Sequence, residues 1–160
     1  GRRCSSIVGP CDEVLDIWRQ LEPAWGPARE VRGNQPLLVL DTDPRIEPDP
    51  QVTVSVIESL DVLLPACIAM FVEEVGVSPV AGGGGPAYRA RIAELVRSGR
   101  SLSRIEGEQV VFKAEIGVVS EDVCQVQGVF VDPAWRGRGL AAPAMAAVVA
   151  HCRATLALCE

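Results

Sequence analysis

Residues 129–142, VFVDPAWRGRGLAA, constrain the fold more than any other part of the chain. An apolar strand runs into a short loop carrying Gly137 and Gly139, and an Ala-rich helix begins at once. The first turn of a helix has unpaired N–H groups and the positive end of the helix dipole. Glycines let that backbone approach a ligand without Cβ collisions. Together these make an anion cradle suited to a diphosphate.

The surrounding pattern is mixed α and β. Residues 52–57 alternate as a strand, and Ser59 or Asp61 caps a helix reaching Val75, with Pro65 near its first turn. A loop over 76–87 holds the glycine run 82–85, and a helix over 87–98 stops at Gly99. Strands follow at 102–106, 109–119 and 124–131, with Gly107 turning the first corner and 120–122 the second. A helix over 140–158 closes the order. On alternation, Lys113 and Glu115 share one face of their strand, and Phe112, Ala114, Ile116 and Val118 share the other.

Upstream, residues 4–9 read as a short strand and 36–41 as a buried one. Between them Asp12 caps a helix over 13–21 that Pro23, Gly26 and Pro27 end. Residues 43–50 hold three prolines and alternating acids, which places a domain boundary there: 1–50 and 51–160.

Composition removes several function classes. A net charge of −6 without a dense Lys/Arg cluster argues against nucleic acid. The six cysteines form no C-x-x-C pair, and His151 is the single histidine, so no metal site is expected. Cysteines inside apolar stretches fit a reduced, cytoplasmic compartment. The apolar run 140–150 is about half the length of a membrane span, so no membrane partner is expected. The chain has no initiator Met and stops just after an apolar helical run, so both ends read as cuts.

Three known patterns build a cradle like that of residues 129–142. A Walker loop is excluded, because no Lys-Ser/Thr follows the glycines. A dinucleotide fingerprint is closer, since 137–142 reads G-x-G-x-x-A. There, however, the first glycine comes almost directly off a strand early in a βαβ unit. Here residues 132–136 intervene, and the preceding strands meander. The third pattern is R/Q-x-x-G-x-G/A after a strand ending in V-x-P. Residues 136–141 (RGRGLA) and 131–133 (VDP) match it. In motif and element order, residues 52–160 resemble the GNAT N-acetyltransferases. WGPARE at 25–30 and FKAE at 112–115 are similar to a bacterial subgroup with an extra N-terminal domain of uncharacterised function.

The resemblance implies an α+β fold with a mostly antiparallel central sheet flanked by helices, and acetyl-CoA as substrate without a metal. It implies that backbone groups of Val129 and Val131, either side of Phe130, pair with the pantetheine arm. Backbone N–H groups of Gly137, Arg138, Gly139, Leu140, Ala141 and Ala142 would hold the diphosphate, with Arg136 and Arg138 adding charge. It implies an acetyl group passed by direct attack in a ternary complex to a small-molecule amine or a peptide N-terminus. Glu115 is the candidate base; the competing reading makes Lys113 and Glu115 a polar pair on the wetter face of the sheet. Gln125 and Gln127 are alternative positioning groups or ordinary sheet-face polar residues. Tyr88 lies in the region that lines the acceptor site in such proteins. Glu73, Glu74 and Glu121 read as solvated charges, and 82–85 as a mobile loop or a lid.

A complete domain of this kind continues into a fifth strand and another helix, leaving residues 124–131 with an open edge here. Residues 1–50 resemble the tail of a second, degenerate unit whose strand at 36–41 could cover that edge. Two other functions stay open: an acyl-CoA-binding domain without turnover, and a fragment of a nicotinamide-dinucleotide oxidoreductase. Oligomeric state is not legible.

Overall fold

The computed structural model describes residues 6–155. Part of the expected strand at 4–9, the end of the helix expected to reach Leu158, and Cys159 lie outside the described residues. The chain divides into two units, Gly1–Asp41 and Thr42–Glu160.

In the first unit, α1 spans Cys11–Trp25. It starts one residue before Asp12, with Pro10 at the cap, so Asp12 and Glu13 sit in the first turn, where the helix dipole favours acids. Pro23 does not end it; the helix runs on to Trp25, whose ring meets Trp18 edge-on at 6.5 Å. Gly26 ends it, with φ of 79° and its N–H on the Glu22 carbonyl at 2.8 Å. Residues 36–41 correct the sequence reading: no strand forms there. Leu37, Leu38 and Val39 are more than four-fifths exposed. An apolar run supplies strand propensity, but a strand also needs a ladder partner. The covering strand expected for the open edge is therefore not formed.

In the second unit, β1 is only Thr53–Val54. Ser59 Oγ donates to the Val56 carbonyl at 2.7 Å, and the chain tightens into a 3-10 turn at Ile57–Ser59 before α2, Leu60–Val75. Gly76, left-handed at φ 76°, closes α2. The glycine run 82–85 is a 3-10 turn over Ala81–Gly83 followed by the start of α3, Gly85–Arg97. Then come β2 (Ser101–Glu106), β3 (Gln109–Val119), β4 (Cys124–Val131) and α4 (Ala141–Thr155). The four strands make one antiparallel sheet in the order β1-β2-β3-β4.

Helices cover both faces of that sheet. On one face Ala144, Val148 and Cys152 of α4 pack on Leu102, Phe112, Ala114 and Ile116. On the other, Leu63 of α2 and Val96 of α3 pack with Val110, and Leu60 and Cys67 pack with Ile92 and Ala93. Each large apolar side chain buried this way contributes about 1.5–3 kcal/mol. Residues 110–116 of β3 are consequently all buried. Residue Asp49 joins this unit too: its N–H reaches the Pro143 carbonyl at 3.0 Å, and its carboxylate pairs with Arg104 at 3.0 Å.

Candidate functional site

The site begins with a register fault in β4. Lys113 pairs with Phe130 and Glu115 with Gln127, so Gly128 and Val129 together oppose Ala114 alone. That is a β-bulge, and Gly128 takes φ of 58° to make it. Past the bulge, the Asp132 N–H bonds the Val111 carbonyl at 3.1 Å, facing β3. Backbone groups alternate sides along a strand, so those of Val131 and Val129 face the free edge of β4. Among the described residues β4 is the last strand of the sheet.

A cleft of about 520 Å³ opens beside this edge, lined by Met70, Glu73 and Glu74 of α2, residues 129–131, and Arg136. Arg136 crosses it. Its Nε donates to the Val131 carbonyl at 2.9 Å, and its two terminal nitrogens reach the Glu73 carboxylate at 2.9 and 2.7 Å. The guanidinium also lies 5.6 Å from the centre of the Phe130 ring.

Next along the chain is the loop into α4. Asp132 Oδ1 accepts from the Ala134 N–H at 2.9 Å and starts a 3-10 turn over Pro133–Trp135. Gly137 and Gly139 both have φ of 74°, with no atom within 4 Å of where a Cβ would sit. Among the described residues, no backbone hydrogen bond outside helices and strands uses the amides of residues 137–142. All six residues are exposed or half-exposed. Pro143 follows in the first helical turn, where a missing N–H costs little. Arg138 stacks on Trp135 at 4.8 Å.

Beneath the bulge lies a buried ion pair. Lys113 Nζ donates to Glu115 Oε1 at 2.6 Å and to the Gly128 carbonyl at 2.9 Å. Lys113 is 0% exposed and Glu115 4%. The Cys67 thiol of α2 donates to the same Glu115 oxygen at 3.9 Å, and burial pushes its pKa up to about 11. The wetter face expected for this pair is thus not wet, because α2 covers it.

The model of the Acetyltransferase (GNAT) family matches residues 70–159, more than half of the chain. The chain belongs to the GNAT acetyltransferase family. A model described as a domain of unknown function (DUF4081) matches residues 1–63, ahead of the GNAT region. Among solved structures, a GCN5-related N-acetyltransferase from Kribbella flavida is similar, with 24% identity and a TM-score of 0.50 over 64% of this chain and 26% of that one. At that identity the likeness carries the fold, and this chain spans about a quarter of that chain's length. Comparison with curated proteins gives no match.

Within the GNAT region, Tyr88 does not line the cleft. Its hydroxyl donates to the Cys67 carbonyl at 3.0 Å, its ring meets Phe71 edge-on at 5.8 Å, and burial raises its pKa. The Gln127 side chain lies over Gly117, where a Cβ would collide with it, while Gln125 and Glu121 are exposed. Among the described residues no group of His, Cys, Asp or Glu is arranged to hold a metal ion, and no helix is long and apolar enough to cross a membrane. Glu73 is exposed, as expected of a solvated charge, and it also holds Arg136. That hydrogen bond keeps the Glu73 carboxyl below the usual glutamate range. A depressed folded pKa means the pair is intact at neutral pH and is lost as pH falls through that value. In a carboxyl-carbon NMR titration, Arg136→Ala is expected to raise the Glu73 midpoint.

Sequence reasoning missed the partners of Lys113 and Glu115 across the strands and helices. One signal was available: Lys113 is the single lysine of the chain.

Proposed function

We propose that this chain carries the acetyl-CoA-binding part of an N-acetyltransferase. The acceptor is an amine, on a small molecule or a peptide N-terminus. The observation that carries the reading is one continuous stretch: the outward-facing backbone of Val129 and Val131 lines a cleft, Arg136 lines it too, and six exposed or half-exposed residues with unclaimed loop amides begin at the next position. Acetyl-CoA supplies an activated acyl thioester.

On this reading Val129 and Val131 hold the pantetheine arm by strand-like hydrogen bonds, flanking Phe130. The amides of Gly137, Arg138, Gly139, Leu140, Ala141 and Ala142 hold the diphosphate, aided by the positive end of α4. Open space around the two glycines suits close approach of a bulky anion. Arg136 leaves the Val131 carbonyl and turns to the phosphates; both of its partners are replaced by ligand groups. Glu115 takes the amine proton. Its Oε1 belongs to Lys113, but its Oε2 lies 3.2 Å from the point where Gly128 would carry a Cβ. A water or amine reaching the bulge therefore reaches that oxygen. Unpaired thiols at Cys67 and Cys152 suit a reducing, cytoplasmic compartment.

Side-by-side calorimetric titration with acetyl-CoA and NAD tests the proposal. Saturable binding of acetyl-CoA without binding of NAD is the expected result. NAD binding, or no binding of either, defeats it. Acyl-CoA binding with no turnover on any amine panel would leave a non-catalytic acyl-CoA-binding domain instead.

A further inference from the structure

Lys113 is the only lysine among 160 residues, and every other Lys-or-Arg position is arginine. Among the described residues the chain therefore uses arginine wherever a Lys-or-Arg position meets solvent and lysine once, at a position with no exposure. Lysine is almost never fully buried unless paired. Here an ammonium offers three donors from a compact centre, where a planar guanidinium would need a wider slot. One donor meets Glu115 Oε1 at 2.6 Å. Another meets the carbonyl of Gly128, the bulge residue, at 2.9 Å.

That second bond bears directly on the cleft. A bulge disrupts the local ladder, and a buried carbonyl left without a donor is costly. Lys113 supplies that donor from its place opposite Phe130. An unbulged strand running on from Gln127 would invert the alternation. Phe130 would then face the free edge, and Val129 and Val131 would turn towards β3. The one-residue insertion at Gly128 is what points the backbone of Val129 and Val131 into the cleft. The backbone also sits hard against the pair, for a Cβ on Gly128 would lie 3.2 Å from Lys113 Nζ and from the Glu115 carboxyl.

We infer that Lys113 is a positioning residue for acyl-CoA: held by Glu115, it clamps the Gly128 bulge so that the β4 edge presents Val129 and Val131 to the pantetheine arm. This rests on the acyl-CoA reading of the cleft. Lys113 itself touches no ligand.

Two measurements on the full chain test it, with coenzyme A as the probe so that no turnover is needed. Lys113→Met/Glu115→Met removes both charges and keeps similar volume, a change that buried ion pairs often tolerate. The Gly128 carbonyl still loses its donor, so a melting temperature below wild type but above that of Lys113→Met alone is expected. Coenzyme A affinity should fall by about tenfold or more, the scale on which misplaced contacts act. Amide exchange at Val129 and Val131 should quicken. A folded variant that binds coenzyme A within about twofold of wild type overturns the inference.

The second measurement needs no variant and decides the matter if the first protein fails to fold. Lysine-selective 15N labelling gives one ammonium signal. It is expected to exchange slowly with solvent and to shift when coenzyme A saturates the protein. Fast exchange, or no response at saturation, overturns the inference. Should the wild type not bind coenzyme A at all, the acyl-CoA reading fails, and a slowly exchanging ammonium still separates that failure from loss of the clamp.

Discussion

Lys113→Met alone is expected to destabilise the chain by about 3–5 kcal/mol, because it breaks a buried ion pair and leaves one charge behind. Glu115 would remain 4% exposed with no cation beside it. The nearest remaining donor is the Cys67 thiol at 3.9 Å, a weak partner. The Gly128 carbonyl would lose its donor in the same substitution. For a chain of this size the loss corresponds to a drop in Tm of roughly 10 °C or more. Circular-dichroism melts and urea titration read it directly. The contrast with Lys113→Met/Glu115→Met carries the argument, since the double change leaves no orphan charge. Surface pairs set the lower end of the scale. Asp61, which holds Arg89, has a side chain 81% exposed, and Asp61→Asn is expected to leave Tm unchanged.

The elements that the sequence made legible are those whose signals are local. β4 spans Cys124–Val131, between the turn at 120–122 and the loop that starts at Asp132, and Gly107 sits at the β2–β3 turn with φ of 61°. The α2 helix is closed by a left-handed Gly76, as a glycine after an apolar run implies. Readings failed where the deciding partner was distant. Residues 36–41 carry strand propensity but no ladder. β1 is two residues long because Ser59 closes the chain back on Val56. Lys113 and Glu115 share a face, as alternation requires, yet whether that face is wet depends on where α2 lies. Period-two patterning has no knowledge of the third layer.

The same division holds at the site. The loop with free amides at residues 137–142 was visible because a strand, two glycines and a helix start are contiguous. The Glu73–Arg136 pair, spanning 63 positions, was not. The bulge was legible in part: a glycine inside a strand marks a bulge or a close approach, and the register opposite Ala114 makes Gly128 the former. The partners of Arg136 are likewise not legible in the motif: its side chain reaches Glu73 of α2 and the Val131 carbonyl.

Glu115→Gln separates the two uses of the buried carboxylate. The amide keeps the shape and an oxygen for Lys113 Nζ, but the buried ammonium loses its counter-charge, so stability is expected to fall. In the folded protein the clamp on Gly128 persists, and coenzyme A affinity is expected to stay within about threefold of wild type. What the amide cannot do is accept a proton from the attacking amine. A general base contributes about 10²–10⁴-fold, so kcat for the best amine acceptor should fall by that factor at saturating acetyl-CoA. A kcat within about tenfold of wild type would take the proton-accepting role from Glu115. The carboxylate would then serve only to hold Lys113 beneath the bulge. Either result leaves the geometry of the bulge as the shared requirement, since Glu115 Oε2 lies 3.2 Å from the point where Gly128 would carry a Cβ.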